Sequence, residues 1–343
     1  MSTDASKPAS NTIEAQLRET ITRIHVDLPD QCAVVKRAHA LVYRSPLQPA
    51  QMLVMEAEPL LGKTRVLNLI SGDIRSNYVS PIAGWTCRTE CRSPTNASAL
   101  GLLLCRALGT PIIGLGNVPR LAEYLCKRIE RHERKPALLA VDNAHLLTEE
   151  TLDVLAAIIA SGVAPIILSG RTGTSALAGQ LLHMVGHFAE FVDLAPLAYT
   201  RGADLGKVHD FLLVIQQELR SLLDQLGIKL ILATDDWAKC FWAGSWGSPG
   251  GIVALVRETL LTVVRERKEK RRNSPYTVTR DDFAETWRLQ MARDSPLKFN
   301  PFKRDDAPTL TEIQEVRKEV EQRRFAKPKL PTAPKGKGAM IWR

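Results

Sequence analysis

The chain has 343 residues, 45% of them hydrophobic and 24% charged, with 21 Gly and 20 Pro. That composition is typical of globular proteins and excludes a collagen-like, mucin-like or wholly disordered chain. Its formal net charge of +9 favours a polyanionic partner, meaning nucleic acid or an anionic membrane surface, and speaks to association and not to fold.

Residues 1–11 carry no apolar core, and no apolar run approaches the roughly 18 residues a bilayer crossing needs. Export and membrane insertion are therefore not expected, and a cytoplasmic, nucleoid-associated location is. Ile13, Leu17, Ile21, Ile24 and Leu28 recur at steps of four and three, which predicts an amphipathic helix before Pro29. It forms a leader over residues 1–30 that docks on the adjoining domain.

A base over residues 31–198 comes next. Ala50–Glu56 reads as a strand and is followed by Gly62-Lys63-Thr64 and a helical pattern through Val66, Leu67 and Ile70. A second strand is expected at Val79–Thr86, helices at Ala97–Leu108 and Val118–Arg131, and a buried strand at Ala137–Val141. Thr148 is then expected to cap a helix carrying Glu149 and Glu150 in its first turn, and the strand Ala164–Ser169 comes after it. Strands alternating with helices predict an α/β fold with a parallel sheet covered on both faces.

After Pro196 helices dominate, at Asp204–Leu226, Asp235–Ala243 and Ile252–Arg267, giving a helical lid over residues 199–294. Trp237, Trp242, Trp246 and Trp287 fall there and read as the core of a small bundle before a base-stacking surface. Residues 295–343 are rich in Pro and Lys and read as a basic, partly disordered tail. It holds one marginal helix that starts at a Thr309-x-x-Glu312 capping box, with a thin stripe of Ile313, Val316 and Val320. The six scattered cysteines read as reduced thiols. Cys87 and Cys91 have a spacing some zinc sites use, but no second Cys or His pair lies at ligand spacing, so buried or idle thiols are the default.

The strongest motif is Ala57-Glu58-Pro59-Leu60-Leu61-Gly62-Lys63-Thr64, which fits G-x-x-x-x-G-K-[S/T] with Ala57 in place of the first glycine. In such a loop, backbone N–H groups curl around phosphates, the Lys reaches the β/γ-phosphates, and the Thr hydroxyl ligates Mg²⁺. An apolar strand before it and a helix after it aim the helix N-terminus at the anion. About 80 residues later Leu138-Leu139-Ala140-Val141-Asp142 forms a buried strand ending in the carboxylate a Mg²⁺–nucleotide needs. Ala57 costs about 1 kcal/mol if the loop requires a left-handed backbone there and otherwise nothing. Asn143 comes after Asp142 where a Glu often orients the attacking water. An amide holds a water without accepting its proton, so nucleotide binding with slow turnover is expected. His145 is the alternative group for polarising water.

The order of these pieces resembles the AAA+ ATPases of transposons, more closely the TniB/TnsC family, relatives of the phage transposition protein MuB. The likeness covers roughly residues 12–290: the leader helix, the P-loop, Val141-Asp142-Asn143-Ala144-His145-Leu146-Leu147, Leu168-Ser169-Gly170-Arg171-Thr172, and a lid with Gly250-Gly251-Ile252. Ala107-Leu108-Gly109-Thr110-Pro111 and Phe188–Pro196 support it. The resemblance implies a P-loop NTPase that binds ATP and Mg²⁺, with Glu58 through Arg65 around the nucleotide, Thr64 and Asp142 at the metal, and Asp142, Asn143, Ser169 and Arg171 at the reacting end. It also implies a homo-oligomer, ring or helical filament, assembled on double-stranded DNA. Its partners would be a DDE transposase and a TniQ-like target selector.

Three departures bear on hydrolysis: Asn143, His187-Phe188 where an Arg-Phe pair presents an arginine finger, and Val253 at the lid's sensor arginine. Arg171 is then the candidate finger, and Arg257, one turn on, the substitute sensor. Together they read as an ATP-binding assembly switch with weak hydrolysis. Arg88 and Arg92, after the expected second strand, are candidate DNA contacts. Net positive charge concentrates in residues 265–272 and in the segment from Pro296, which carries twelve basic and six acidic residues. The body is thus near neutral. The alternatives are a plasmid or phage replication initiator or helicase loader, and a non-hydrolysing nucleotide-stabilised adaptor.

Overall fold

In the computed structural model, residues 15–325 are described apart from 22–23, 25, 27, 45–51, 112–116, 187–188, 198–202, 271–273, 294, 296 and 304–307. His187, Phe188 and the tail beyond Phe325 thus lie outside the described residues.

Five short strands carry the base: β1 (Met52–Glu56), β2 (Thr86–Glu90), β3 (Leu138–Asp142), β4 (Ile166–Gly170) and β5 (Ala189–Asp193), paired in parallel in the order β2-β3-β4-β1-β5. Because side chains alternate across a strand, each strand feeds two cores. Met52, Val54, Leu139, Val141, Ile166 and Leu168 face α4 (Ala97–Ala107), α5 (Val118–Glu130), α6 (Thr151–Ala160) and α7 (Thr174–Val185). Leu53, Met55, Leu138, Ala140 and Ile167 face α2 (Pro29–Arg44) and α3 (Lys63–Ser71). Burial on both faces is why β1, β3 and β4 are uninterrupted apolar runs. Side chains of Asn96 and Asn117 accept the Ala99 and Arg120 amides and fix where α4 and α5 start.

The second strand does not lie at Val79–Thr86. Pro81 and Gly84, the latter at φ 105°, break that stretch, although Ile82 is buried and its amide bonds Ile70 O. The ladder instead uses Thr86–Glu90, with Arg88 opposite Ala140. Thr148 is not a side-chain cap: its Oγ1 is buried without a partner while its carbonyl accepts from Thr151, where α6 starts. Pro29, read as a stop, opens α2 in a position where its missing N–H costs nothing. Edge strand β5 alternates half-buried and exposed positions.

The lid comprises α8 (Ala203–Gln225), α9 (Asp235–Ser245), α10 (Pro249–Glu269) and α11 (Arg280–Gln290), with β6 (Ile228–Lys229) and β7 (Tyr276–Thr277) paired in parallel. Its core holds buried Trp242 and Trp287, and an aromatic cluster in which Phe241, Phe283 and Phe302 stack or meet edge to face at 5.1–5.7 Å. Leu17 and Ile21 of α1 (residues 15–21) also sit in this core, so the first helix packs on the lid. Phe302 and, from α12 (Leu310–Phe325), Val316 join them, which draws part of the expected tail into the fold. The Thr309–Glu312 capping box forms at the start of α12, whereas the side chains of Ile313 and Val320 lie outside the described residues. No helix among the described residues is long and apolar enough to cross a membrane.

Candidate nucleotide and metal site

The site sits at the carboxyl ends of β1, β3 and β4, where a parallel sheet leaves its crevice. Ala57 leaves β1 with an ordinary backbone, buried, its amide bonded to Gly170 O at 3.1 Å, so replacing the glycine is without conformational cost. The loop's left-handed residues are Leu60 (φ 65°) and Gly62 (φ 95°). Gly62 ends the loop and α3 begins at Lys63. Gln31 from α2 braces the turn, Nε2 donating to Leu61 O at 3.2 Å. A Cβ on Gly62 would sit 2.2 Å from that nitrogen.

Lys63 is 8% exposed, and its ammonium turns back on the loop, donating to Ala57 O at 2.6 Å and Glu58 O at 2.8 Å. Burial, reinforced by the Arg171 charge, lowers its pKa to about 8. The Glu58 carboxylate accepts from Thr172 Oγ1 at 3.1 Å, tying the loop to the end of β4. Pro59 and Leu60 are exposed, and Arg65 is half-buried in the first turn of α3.

Asp142 is the hub. Its Oδ2 accepts from Thr64 Oγ1 at 3.0 Å and Arg88 Nη2 at 3.2 Å, and its Oδ1 from Ser169 Oγ at 3.1 Å and the Asn143 amide at 3.0 Å. The carboxylate is 2% exposed and Ser169 is fully buried. A threonine hydroxyl and an aspartate carboxylate are hard oxygen donors of the kind Mg²⁺ takes beside phosphate oxygens, so this donor set fits a Mg²⁺–nucleotide.

Asn143 stands at φ 55°, ψ 38°, a left-handed conformation that Asn tolerates better than Glu does. Its Nδ2 donates to Cys91 O at 3.1 Å, which gives the local backbone a reason for the amide. His145 Nδ1 accepts the Arg171 amide at 3.3 Å. Burial and the Arg171 and Lys63 charges lower the ring's pKa, favouring neutral imidazole.

The lid meets the P-loop at a single residue. Leu60 O accepts from Gly250 N and Ser248 Oγ, both at 2.9 Å. Gly250 is required there, since a Cβ would lie 2.6 Å from Leu60 O. Arg257 lies two helical turns beyond Gly250, which puts it on the same face of α10 about 10 Å further along. Its Nε is bonded to Glu258 at 2.7 Å.

Arg88 departs most from expectation. It lies within β2, not on a loop after it, and its guanidinium points into this site, contacting Asn68 and Asp142. Arg92, 85% exposed on its side chain and beside Glu90, remains on the surface. Gln31 and Asn68 carry no sequence signal, since nothing marks a helix residue that the fold brings to a loop. Cys87 and Cys91 are fully buried, and burial pushes the Cys87 thiol up to about 12. No cluster of His, Cys, Asp or Glu able to hold a metal occurs among the described residues.

Residues 46–177 match a family described as AAA domain. No curated protein matches the chain. Among solved structures it is similar to Cdc6p from Pyrobaculum aerophilum, at 13% identity over 78% of this chain and 69% of that one, TM-score 0.54. It is also similar to the ORC1 protein of Aeropyrum pernix in complex with DNA, at 18% identity over 81% and 70%, TM-score 0.51. The Aeropyrum pernix ORC2 protein, solved as ADPNP-ADP complexes, is 12% identical over 80% and 72%, TM-score 0.50. The strand order, the P-loop at the end of β1 and the acidic residue at the end of β3 agree with these likenesses: the fold is that of an AAA+ P-loop NTPase.

Proposed function

We propose that this protein is an ATP-binding switch that assembles on double-stranded DNA and regulates transposition, recruiting or activating a DDE transposase together with a target selector. The observation that carries the switch is Asp142, which gathers Thr64, Ser169 and Asn143 around one carboxylate beside the P-loop. Lys63 supplies the cation for the phosphates, Thr64 and Asp142 the metal donors, and Ser169 holds the carboxylate in place. Mg²⁺, when bound, supplies charge neutralisation of the phosphate oxygens. Asn143 positions a water without taking its proton, and Arg171 serves as the candidate finger, so turnover is slow. Arg257 is the lid residue assigned to sense the nucleotide. Arg92 is a candidate for phosphate contact, and the resemblance in motif order to TniB/TnsC proteins supports the transposition role.

A replication initiator or helicase loader is the second reading, favoured by the fold likeness to Cdc6 and ORC structures, one of them solved with DNA. Footprinting on unrelated duplexes separates the two. Sequence-tolerant coating that needs ATP supports the transposition reading, whereas protection of one site only supports an initiator. For the switch itself, Lys63→Ala is expected to abolish ATP-dependent assembly on DNA in negative-stain images. Unchanged oligomers would remove it.

A further inference from the structure

The donor pair for a metal ion, Thr64 Oγ1 and Asp142 Oδ2, is already bridged by a cation belonging to the chain. Arg88 Nη2 lies 3.2 Å from Asp142 Oδ2, the oxygen that Thr64 Oγ1 reaches at 3.0 Å. Nη1 is bonded to Asn68 Oδ1 on α3, with Asp73 Oδ2 at 4.0 Å, so the guanidinium is held from two sides. The Arg88 side chain is only 24% exposed and the Asp142 side chain 2%, so water screens this pair weakly. The backbone makes the arrangement obligatory: Arg88 and Asp142 lie on adjacent parallel strands, with Glu90 in register with Asp142 and Arg88 two residues before it.

An unpaired buried carboxylate beside a P-loop repels nucleotide phosphates, and a divalent ion normally removes that repulsion. Here Arg88 removes it first, leaving Lys63 to face the phosphates with the nearby positive charge of Arg171. A metal entering between Thr64 and Asp142 must also compete with Arg88 for the same oxygen. We propose that Arg88 is a resident counter-cation that lets this site hold a nucleotide without a divalent metal. The inference rests on the reading of the site as a nucleotide site. Arg88 is a positioning residue in this scheme, acting on phosphates through Asp142.

The experiment compares affinity for a fluorescent ATP analogue in Mg²⁺ and in EDTA, for the full chain and for Arg88→Gln. The unsubstituted protein is expected to lose no more than about threefold in EDTA. Arg88→Gln is expected to lose more than about tenfold there and little in Mg²⁺, the metal then replacing the lost charge. Unfolding midpoints with MgCl₂ alone give a second readout: Mg²⁺ stabilises Arg88→Gln and leaves the unsubstituted protein unchanged, while Arg88→Lys restores metal-independent binding. If the unsubstituted protein binds nucleotide only with Mg²⁺, the inference fails and the nucleotide site stands, whether or not Arg88→Gln folds. Equal Mg²⁺ dependence of the two proteins overturns it likewise. No binding in either buffer overturns the nucleotide reading and this inference together.

Discussion

At the scale of single residues, the P-loop puts its strain away from the position where the motif departs from its pattern. Ala57 stands in an unstrained backbone, and Leu60 occupies the left-handed region instead. That conformation costs a non-glycine residue roughly 1–2 kcal/mol, against an entropic cost of about 0.5–1 kcal/mol for glycine. Leu60→Gly is therefore expected to raise stability by about 0.5 kcal/mol in urea unfolding, with Leu60 O still serving the lid. Gly62→Ala should do the reverse, losing about 1–2 kcal/mol from backbone strain alone before the clash with Gln31 is counted. Equal stabilities for the two variants would mean that the positive φ angles are not what shapes the loop. Asn143→Glu is expected to raise phosphate release, because it adds the missing proton acceptor beside Asp142. It also gives up the Nδ2 bond to Cys91 O, at a cost of about 1 kcal/mol. A flat phosphate-release assay from a folded variant would place the attacking water elsewhere.

At the scale of elements, periodicity is legible in the sequence and topology is not. The apolar runs of β1, β3 and β4 and the caps of α4 and α5 are local signals, and the P-loop's place between β1 and α3 is read from them. β2 escapes such a reading because its ladder residues, Thr86–Glu90, look polar: Arg88 is spent on Asp142, and the apolar Val79–Ile82 stretch is broken by Pro81. α2 is hidden because proline ends one helix and begins the next with equal ease. The Gly250-Gly251 pair is visible as a motif, but its purpose requires the fold. It lets the start of α10 lie against Leu60. Gly250→Ala should push α10 off the loop, weakening nucleotide binding by about tenfold, the worth of one or two hydrogen bonds. The circular-dichroism spectrum should stay unchanged, since the lid core of Phe241, Phe283 and Trp287 does not depend on that contact. Affinity equal to that of the unsubstituted protein would show that lid docking at Leu60 is not coupled to the site.

At the scale of the molecule, the net charge of +9 is not spread over the fold. Within the base, basic side chains are committed inward: Lys63 to the loop and Arg88 to Asp142. Near the end of α10, Arg267 lies over the Tyr276 ring and bonds Ser274 O, and Lys270 pairs with Glu266. These groups are less available for phosphate than a charge count implies. Residues 326–343 carry Lys327, Lys329, Lys335, Lys337 and Arg343 with no acidic residue, and they come after α12, whose Val316 is anchored in the lid core. Non-specific DNA affinity released through counterions falls with salt at a slope of about −0.9 per phosphate neutralised. If this segment supplies the contacts, removing residues 326–343 should flatten the plot of log affinity against log salt by up to about four units. Nucleotide binding should be untouched, because none of the site's hydrogen bonds comes from that segment. Anisotropy of a labelled duplex across a KCl series measures the first, and fluorescent-nucleotide titration the second. An unchanged slope would return the DNA contact to the base, with Arg92 as the first residue to substitute, because its side chain is 85% exposed and its only described partner is the neighbouring Glu90.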